Sequence, residues 1–186
     1  MLIVHIVSCV YAKYRTIEIS GNATLGYYYM DIYLGDHTAR ESLIIDTGSS
    51  MITFPCIECR DCGLNHYNSR YDHSKSSGYQ KMDSHVDFMG WKCGDGNSKL
   101  CPFSVSYVEG SGYEGHLIQD YSMVKDELVK FNVERKRGDS IEKYRGVVGC
   151  TVKETGKFSE QEADGIIGFG LDTGSRFRSS SLQKSP

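Results

Sequence analysis

At 186 residues the chain suffices for one large domain or one well-filled lobe of something bigger. Hydrophobic residues make up 39% and charged residues 24%, with 20 Gly, 13 Tyr and three Pro, a globular balance tilted toward strands and turns. The formal net charge of −3 offers no basic footprint, so nucleic acid is not an expected partner.

The apolar opening from Met1 to Ala12 is too short to span a bilayer as a helix. Two alternatives stand. It is a signal-peptide remnant, with Val10 and Ala12 before a cleavage point, or a buried first strand, since the usual positive start is missing. Asn22-Ala23-Thr24 is a glycosylation tripeptide that acquires meaning only in a secreted chain. From Tyr27 to Leu34 the pattern alternates, with Tyr28, Met30, Ile32 and Leu34 on one face, which predicts a half-buried strand. Gly35-Asp36-His37 reads as a turn, and Ser42-Leu43-Ile44-Ile45 as a buried strand running into Asp46-Thr47-Gly48. Phe103, Val105 and Tyr107 alternate with Ser104 and Ser106, giving a strand that turns at Glu109-Gly110-Ser111-Gly112 and returns over Tyr113 to Asp120. The mixed-charge stretch from Lys125 to Arg145 reads as a solvated strand edge and loop. Gly165-Ile166-Ile167-Gly168-Phe169-Gly170 is an apolar strand bracketed by Gly, and residues 172–186 lose all periodicity as an irregular tail. No amphipathic helix and no repeat stand out. The expected class is mostly β.

The chemistry centres on Asp46. A carboxylate at the end of a buried apolar strand is costly unless hydrogen bonds support it. Gly48 allows a sharp turn that brings its amide close, and Thr47, Ser49 and Ser50 offer hydroxyls. A carboxylate held in this way is suited to general acid–base work. On these residues alone an Asx-type turn capping a strand end explains the same pattern.

The order of motifs decides between them. A Tyr-rich strand, Leu43-Ile44-Ile45-Asp46-Thr47-Gly48-Ser49-Ser50, a Tyr107-Val108-Glu109-Gly110-Ser111 hairpin and Ala163-Asp164-Gly165-Ile166-Ile167-Gly168 together resemble the N-terminal lobe of the pepsin-like aspartic proteases over roughly residues 24–171. The resemblance implies a lobe over 13–171, with the second lobe absent. It implies Asp46 as the first catalytic aspartate, Tyr107 as the flap tyrosine, and Gly110 and Ser111 as the flap tip that meets substrate backbone. In this family two aspartates share one proton, because like charges about 3 Å apart do not both ionise readily, and together they activate a water. No cofactor and no metal is implied.

Departures from the pepsin pattern narrow the match. Thr53 stands where pepsins carry a Trp that joins the flap tyrosine in a hydrogen-bonded network. Asp46 and Tyr107 lie 61 positions apart, and the extra length, about 55–102 before a flap at about 103–120, holds Cys56, Cys59, Cys62, Cys93 and Cys101. Such a Cys-rich insert is similar to the nepenthesin-type group. Phe54-Pro55-Cys56-Ile57-Glu58-Cys59-Arg60-Asp61-Cys62-Gly63, with Tyr-x-Glu-Gly-Ser at the flap, is similar to the plasmepsin V-like export proteases of apicomplexans. Val108 stands where plasmepsin V has a free Cys, so no thiol acts there.

Setting Cys9 aside leaves six cysteines, Cys150 included, an even number that suits an oxidising compartment. Cys-x-x-Cys-x-x-Cys with Cys93 or Cys101 would also fit zinc. The resemblance implies disulfides, in any of fifteen pairings. Leu171-Asp172-Thr173-Gly174-Ser175 imitates a second catalytic motif, but no lobe-sized core separates Asp172 from Asp164, and it reads as a surface turn. The six His show no ligand spacing, and Trp91 is expected to cover a patch of the insert.

The resemblance thus implies an aspartic endopeptidase of the secretory pathway, in the endoplasmic reticulum or Golgi, acting on polypeptides with an Arg and a following Leu. Glu109 is then placed to meet the basic side chain. The chain is expected to be a fragment or truncated form that needs a C-terminal lobe, with membrane attachment only through a span beyond it. The rivals are a catalytically incomplete binding or inhibitor module and a single-lobe protease that pairs with a second copy.

Overall fold

The computed structural model describes residues 17–24, 26–36, 39–82, 87–88, 91–93, 100–124 and 144–170. The opening segment, most of the 125–145 stretch and the Asp172 motif lie outside these residues, as does the side chain of Trp91.

The alternating segments form strands. In chain order they are β1 Ser20–Asn22, β2 Tyr27–Leu34, β3 Ala39–Asp46, β4 Ile52–Pro55, β5 Gln80–Lys81, β6 Asp87–Phe88, β7 Trp91–Lys92, β8 Pro102–Ser106, β9 Gly112–Val124, β10 Tyr144–Thr155 and β11 Gly165–Gly168. Short 3-10 turns at His73–Lys75 and Gly156–Ser159 are the helical elements among the described residues. No helix there is long and apolar enough to cross a membrane.

Strands β2, β3, β11, β4, β10 and β9 hydrogen-bond in that order, and β9 pairs back onto β2 through Ile32 and Val124. The ring therefore closes, which removes the exposed sheet edges that a flat array would present. Its interior is the face that the sequence pattern marks. Met30, Ile32 and Leu34 from β2 meet Leu43, Phe54, Ile118, Val148 and Ile167 there, all buried. Tyr28, on the same side of β2, is 55% exposed because it lies beyond the ring, where β2 pairs only with β1.

A second cluster packs on the outside of the ring beneath the β8–β9 hairpin. Phe103, Tyr113, Leu117, Val147, Phe158 and Ile166 form it, with Tyr107, Met51 and Val105 partly buried against it. Strand β11 lies between β3, to which it is parallel, and β4, to which it is antiparallel. The segment joining β3 to β4, residues 47–51, must therefore pass over the end of β11. That crossing carries Asp46.

The cysteines pair as Cys56–Cys150, Cys59–Cys62 and Cys93–Cys101. The first fastens the start of the insert to β10. The others close small loops, where short segments without a core of their own benefit from a staple.

Candidate active site

Asp46 is the last residue of β3, and Gly48 is the turn that holds it. The Gly48 amide donates to Asp46 Oδ1 at 2.8 Å. Among the described residues no hydroxyl of Thr47, Ser49 or Ser50 supports the carboxylate, contrary to the sequence expectation. Thr47 is exposed, and Ser49 Oγ is buried without a partner. The Gly48 amide, which the sequence reading also expected, is the donor from this loop that holds it.

The end of β11 secures the loop from below. Phe169 N donates to Asp46 O at 2.7 Å, Gly170 N to Ser49 O at 2.7 Å and Gly168 N to Met51 O at 2.9 Å. Contact this close needs glycine. A Cβ on Gly168 would stand 2.5 Å from Ser49 O.

Tyr107 comes to Asp46 from the opposite side. It follows β8, and its hydroxyl donates to Asp46 Oδ2 at 3.1 Å. The flap turn is tight: Tyr107 N donates to Ser111 O at 2.8 Å and Gly110 N to Tyr107 O at 3.0 Å, with Gly110 at φ 95°. Glu109 and Gly110 are exposed at its tip, and Val108 projects fully into solvent. Ser111 is buried, and its hydroxyl accepts from Lys157 N at 3.0 Å, which fixes the hairpin to the 3-10 turn that follows β10. Burial, the neighbouring Tyr113 hydroxyl and the Asp46 charge raise the Tyr107 pKa, so Tyr107 keeps the proton that it donates to Asp46.

Thr53, at the position of the pepsin Trp, is buried on β4. Its methyl lies where a Cβ on Gly149 would fall, beside the Phe103 ring. Aromatic groups from the flap hairpin therefore occupy the space next to a small residue.

Three buried networks behind the site carry no local sequence signal. Asp164, 1% exposed, accepts from Ser42 N and Asn68 Nδ2 at 2.6 Å each and from Asn68 N at 2.8 Å. His66 Nε2 meets Glu154 Oε2 at 3.0 Å, while Nδ1 faces Ala163 O at 2.9 Å. Burial pulls the His66 pKa down, but the Glu154 hydrogen bond and charge outweigh it and raise it overall. Asp120 accepts from Tyr71 Oη at 2.5 Å and from Ser76 Oγ at 2.7 Å. Among the described residues one group has metal-like spacing: Cys56, Glu58 and Cys150. Its two sulfurs are joined in a disulfide and offer no thiolate to a metal.

A family profile described as "Xylanase inhibitor N-terminal" matches residues 28–184. Plasmepsin V of Plasmodium falciparum is 38% identical over 148 residues, which cover 78% of this chain and 22% of that protein. Aspartic protease 5 of Toxoplasma gondii is 32% identical over 163 residues, or 81% of this chain and 16% of its length. Rhizopuspepsin-4 of Rhizopus niveus is 27% identical over 146 residues, or 78% of this chain and 28% of its length. The chain thus spans about a fifth of the length of the first two relatives. With Asp46, its glycine-clamped loop and the flap in one closed sheet, the chain belongs to the pepsin-like aspartic protease family, as an N-terminal domain.

Proposed function

We propose that this chain is the N-terminal lobe of an aspartic endopeptidase of the secretory pathway, a fragment that contributes one of two catalytic carboxylates. The observation that carries the reading is the Tyr107 hydroxyl on Asp46 Oδ2 at 3.1 Å, which puts the flap directly over the aspartate. Asp46 would share a proton with an aspartate from a C-terminal lobe, and the pair would activate a water for attack on a peptide carbonyl. A single carboxylate cannot form that pair, so the chain alone is inactive. Likeness to plasmepsin V and to aspartic protease 5 supports a substrate among secretory-pathway polypeptides, processed in the endoplasmic reticulum or Golgi. Glu109, exposed at the flap tip, would then face the Arg of the substrate.

The test is peptide hydrolysis by the full-length protein that contains this chain. Asp46→Asn should abolish cleavage, and Glu109→Ala should reduce the preference for Arg-containing peptides. Cleavage that survives Asp46→Asn would sink the proposal, as would hydrolysis by a homodimer of the isolated chain. One observation favours a second reading, an inhibitor or binding module: the matching profile describes an inhibitor's N-terminal domain. A binder would retain its partner after Asp46→Asn and would show no cleavage in any context.

A further inference from the structure

His66 lies in the Cys-rich insert with its side chain 6% exposed, held between two elements of the lobe. Its Nδ1 faces Ala163 O at 2.9 Å, just ahead of β11, and its Nε2 meets Glu154 Oε2 at 3.0 Å, on β10. A backbone carbonyl only accepts, so Nδ1 carries a hydrogen. Glu154 Oε2 also accepts from Gly63 N at 3.0 Å, so its contact with Nε2 needs a further proton between ring and carboxyl. A neutral imidazole beside an ionised carboxylate has one N–H for two acceptors and would turn a lone pair toward a buried oxygen. The geometry therefore holds one proton more than those two groups carry apart at neutral pH.

Water has little room to take that proton's place. The Glu154 side chain is 4% exposed, and a Cβ on Gly63 would stand 3.0 Å from His66 Nε2 and 2.5 Å from Ser159 O. Charged groups face His66 from both elements that it joins, Glu154 on β10 and Asp164 ahead of β11, and both favour the extra proton. Neighbouring ties, from Glu154 N to Asp61 O at 2.9 Å and from Tyr67 N to Glu162 O at 2.7 Å, join backbone groups that do not titrate. We propose that the His66–Glu154 pair is a proton-operated clasp: with its shared proton it fastens residues 63–68 of the insert to β10 and to the start of β11, and without it that segment opens. Strand β11 ends in the residues that hold the Asp46 loop, so the clasp positions that loop from the far end of the strand. The clasp does not depend on the peptidase reading; only its effect on catalysis at Asp46 rests on it.

Amide hydrogen exchange on the full-length protein, corrected for the intrinsic pH dependence of exchange, tests the clasp without any activity. Protection at Gly63, Tyr67 and Asn68 should fall about tenfold between about pH 6 and 8, while Gly35 N, bonded to Tyr121 O outside the clasp, keeps its protection. Glu154→Gln is the diagnostic variant, because its amide donates to Nε2 of a neutral His66, and its protection should stay level over the same range. His66→Gln, which has no proton to lose there, should be level too. A wild-type segment that keeps its protection, a Glu154→Gln protein that loses it as the wild type does, or an equal fall at Gly35 would each overturn the clasp. In peptide hydrolysis the ratio of kcat/KM for Glu154→Gln to that of the wild type should rise severalfold from about pH 6 to 8, and a constant ratio would refute the link to Asp46. Absence of cleavage in every variant would refute the peptidase reading and leave the exchange result to decide the clasp.

Discussion

Replacing Asp164 by Ala should destabilise the lobe more than any other single change at a polar residue outside the cleft. The carboxylate accepts three N–H groups: Ser42 N and Asn68 Nδ2 at 2.6 Å and Asn68 N at 2.8 Å. The Asp164 amide also donates to Ser42 O at 2.8 Å, so the residue ties the Cys-rich segment to β3 four positions before Asp46. Hydrogen bonds to charged groups contribute about 1.5–3 kcal/mol each, and truncation strands two backbone amides as well. Simple addition overshoots, because such bonds are not independent and costs above about 4–5 kcal/mol are exceptional. Relief of the repulsion that Asp164 exerts on buried Glu41 offsets part of the loss. The expected cost is therefore on the order of 3–5 kcal/mol, a fall in melting temperature of about 10–15 °C for a domain this size. Urea unfolding followed by circular dichroism measures it, with Asp164→Asn as the variant that keeps the shape and should lose less. A cost below about 1 kcal/mol for Asp164→Ala would show that water replaces the carboxylate and that the network holds nothing in place.

Three further outcomes follow from other parts of the fold. Cys56 and Cys150 are 94 positions apart and Cys59 and Cys62 only three, so chain entropy predicts losses of about 4.7 and 1.6 kcal/mol on removing each bridge. Paired Ser substitutions compared by urea unfolding should reproduce that ranking, and equal losses would refute it. Glu41 is 1% exposed with Oε1 unpaired; burial, then the Asp164 charge, raises its pKa well above 4.5. The unfolded chain therefore releases this proton first, and stability drains away as pH climbs from about 4.5 toward the folded pKa. Glu41→Gln should flatten that decline in denaturation curves taken between about pH 5 and 8, and an unchanged slope would contradict it. His66 has the opposite charge type and the same sign of slope. Its folded pKa lies above the reference 6.5, so its contribution is full below 6.5 and fades as pH rises through the folded value. His66→Gln should cost more at about pH 6 than at about pH 8, as read from the two unfolding midpoints.

The parts of this lobe that were legible in the sequence are those whose physics is local. The alternation of Met30, Ile32 and Leu34 against Tyr29, Asp31 and Tyr33 is the pleat itself, and it marks the face that fills the closed sheet. The glycines of Gly165-Ile166-Ile167-Gly168 were visible as brackets, and their reason is steric: the β4 backbone at Thr53 lies too close to Gly165 for a side chain, and the loop after Asp46 too close to Gly168. The support of Asp46 was legible in part: the Gly48 turn aims its amide at the carboxylate as expected, while the hydroxyls of Thr47, Ser49 and Ser50 make no bond to it among the described residues. What stayed hidden was long-range pairing. His66 and Glu154 are 88 positions apart, and Asp164 and Ser42 are 122 apart, so nothing near either member announces the other. The cysteine pairing is of the same kind, since fifteen arrangements are open until β4 and β10 are laid side by side. Tyr113 is the instructive intermediate. In the sequence it is one more apolar position on a return strand, and only the sheet register places it across from Val105 and beneath Tyr107. Replacing a large indole partner by Thr53 then has a clear physical meaning: the small residue leaves its neighbours room, and aromatic groups of the flap's own hairpin fill it. The flap tyrosine therefore takes one packing partner, Tyr113, from the hairpin that carries it and another, Phe158, from the 3-10 turn beside it.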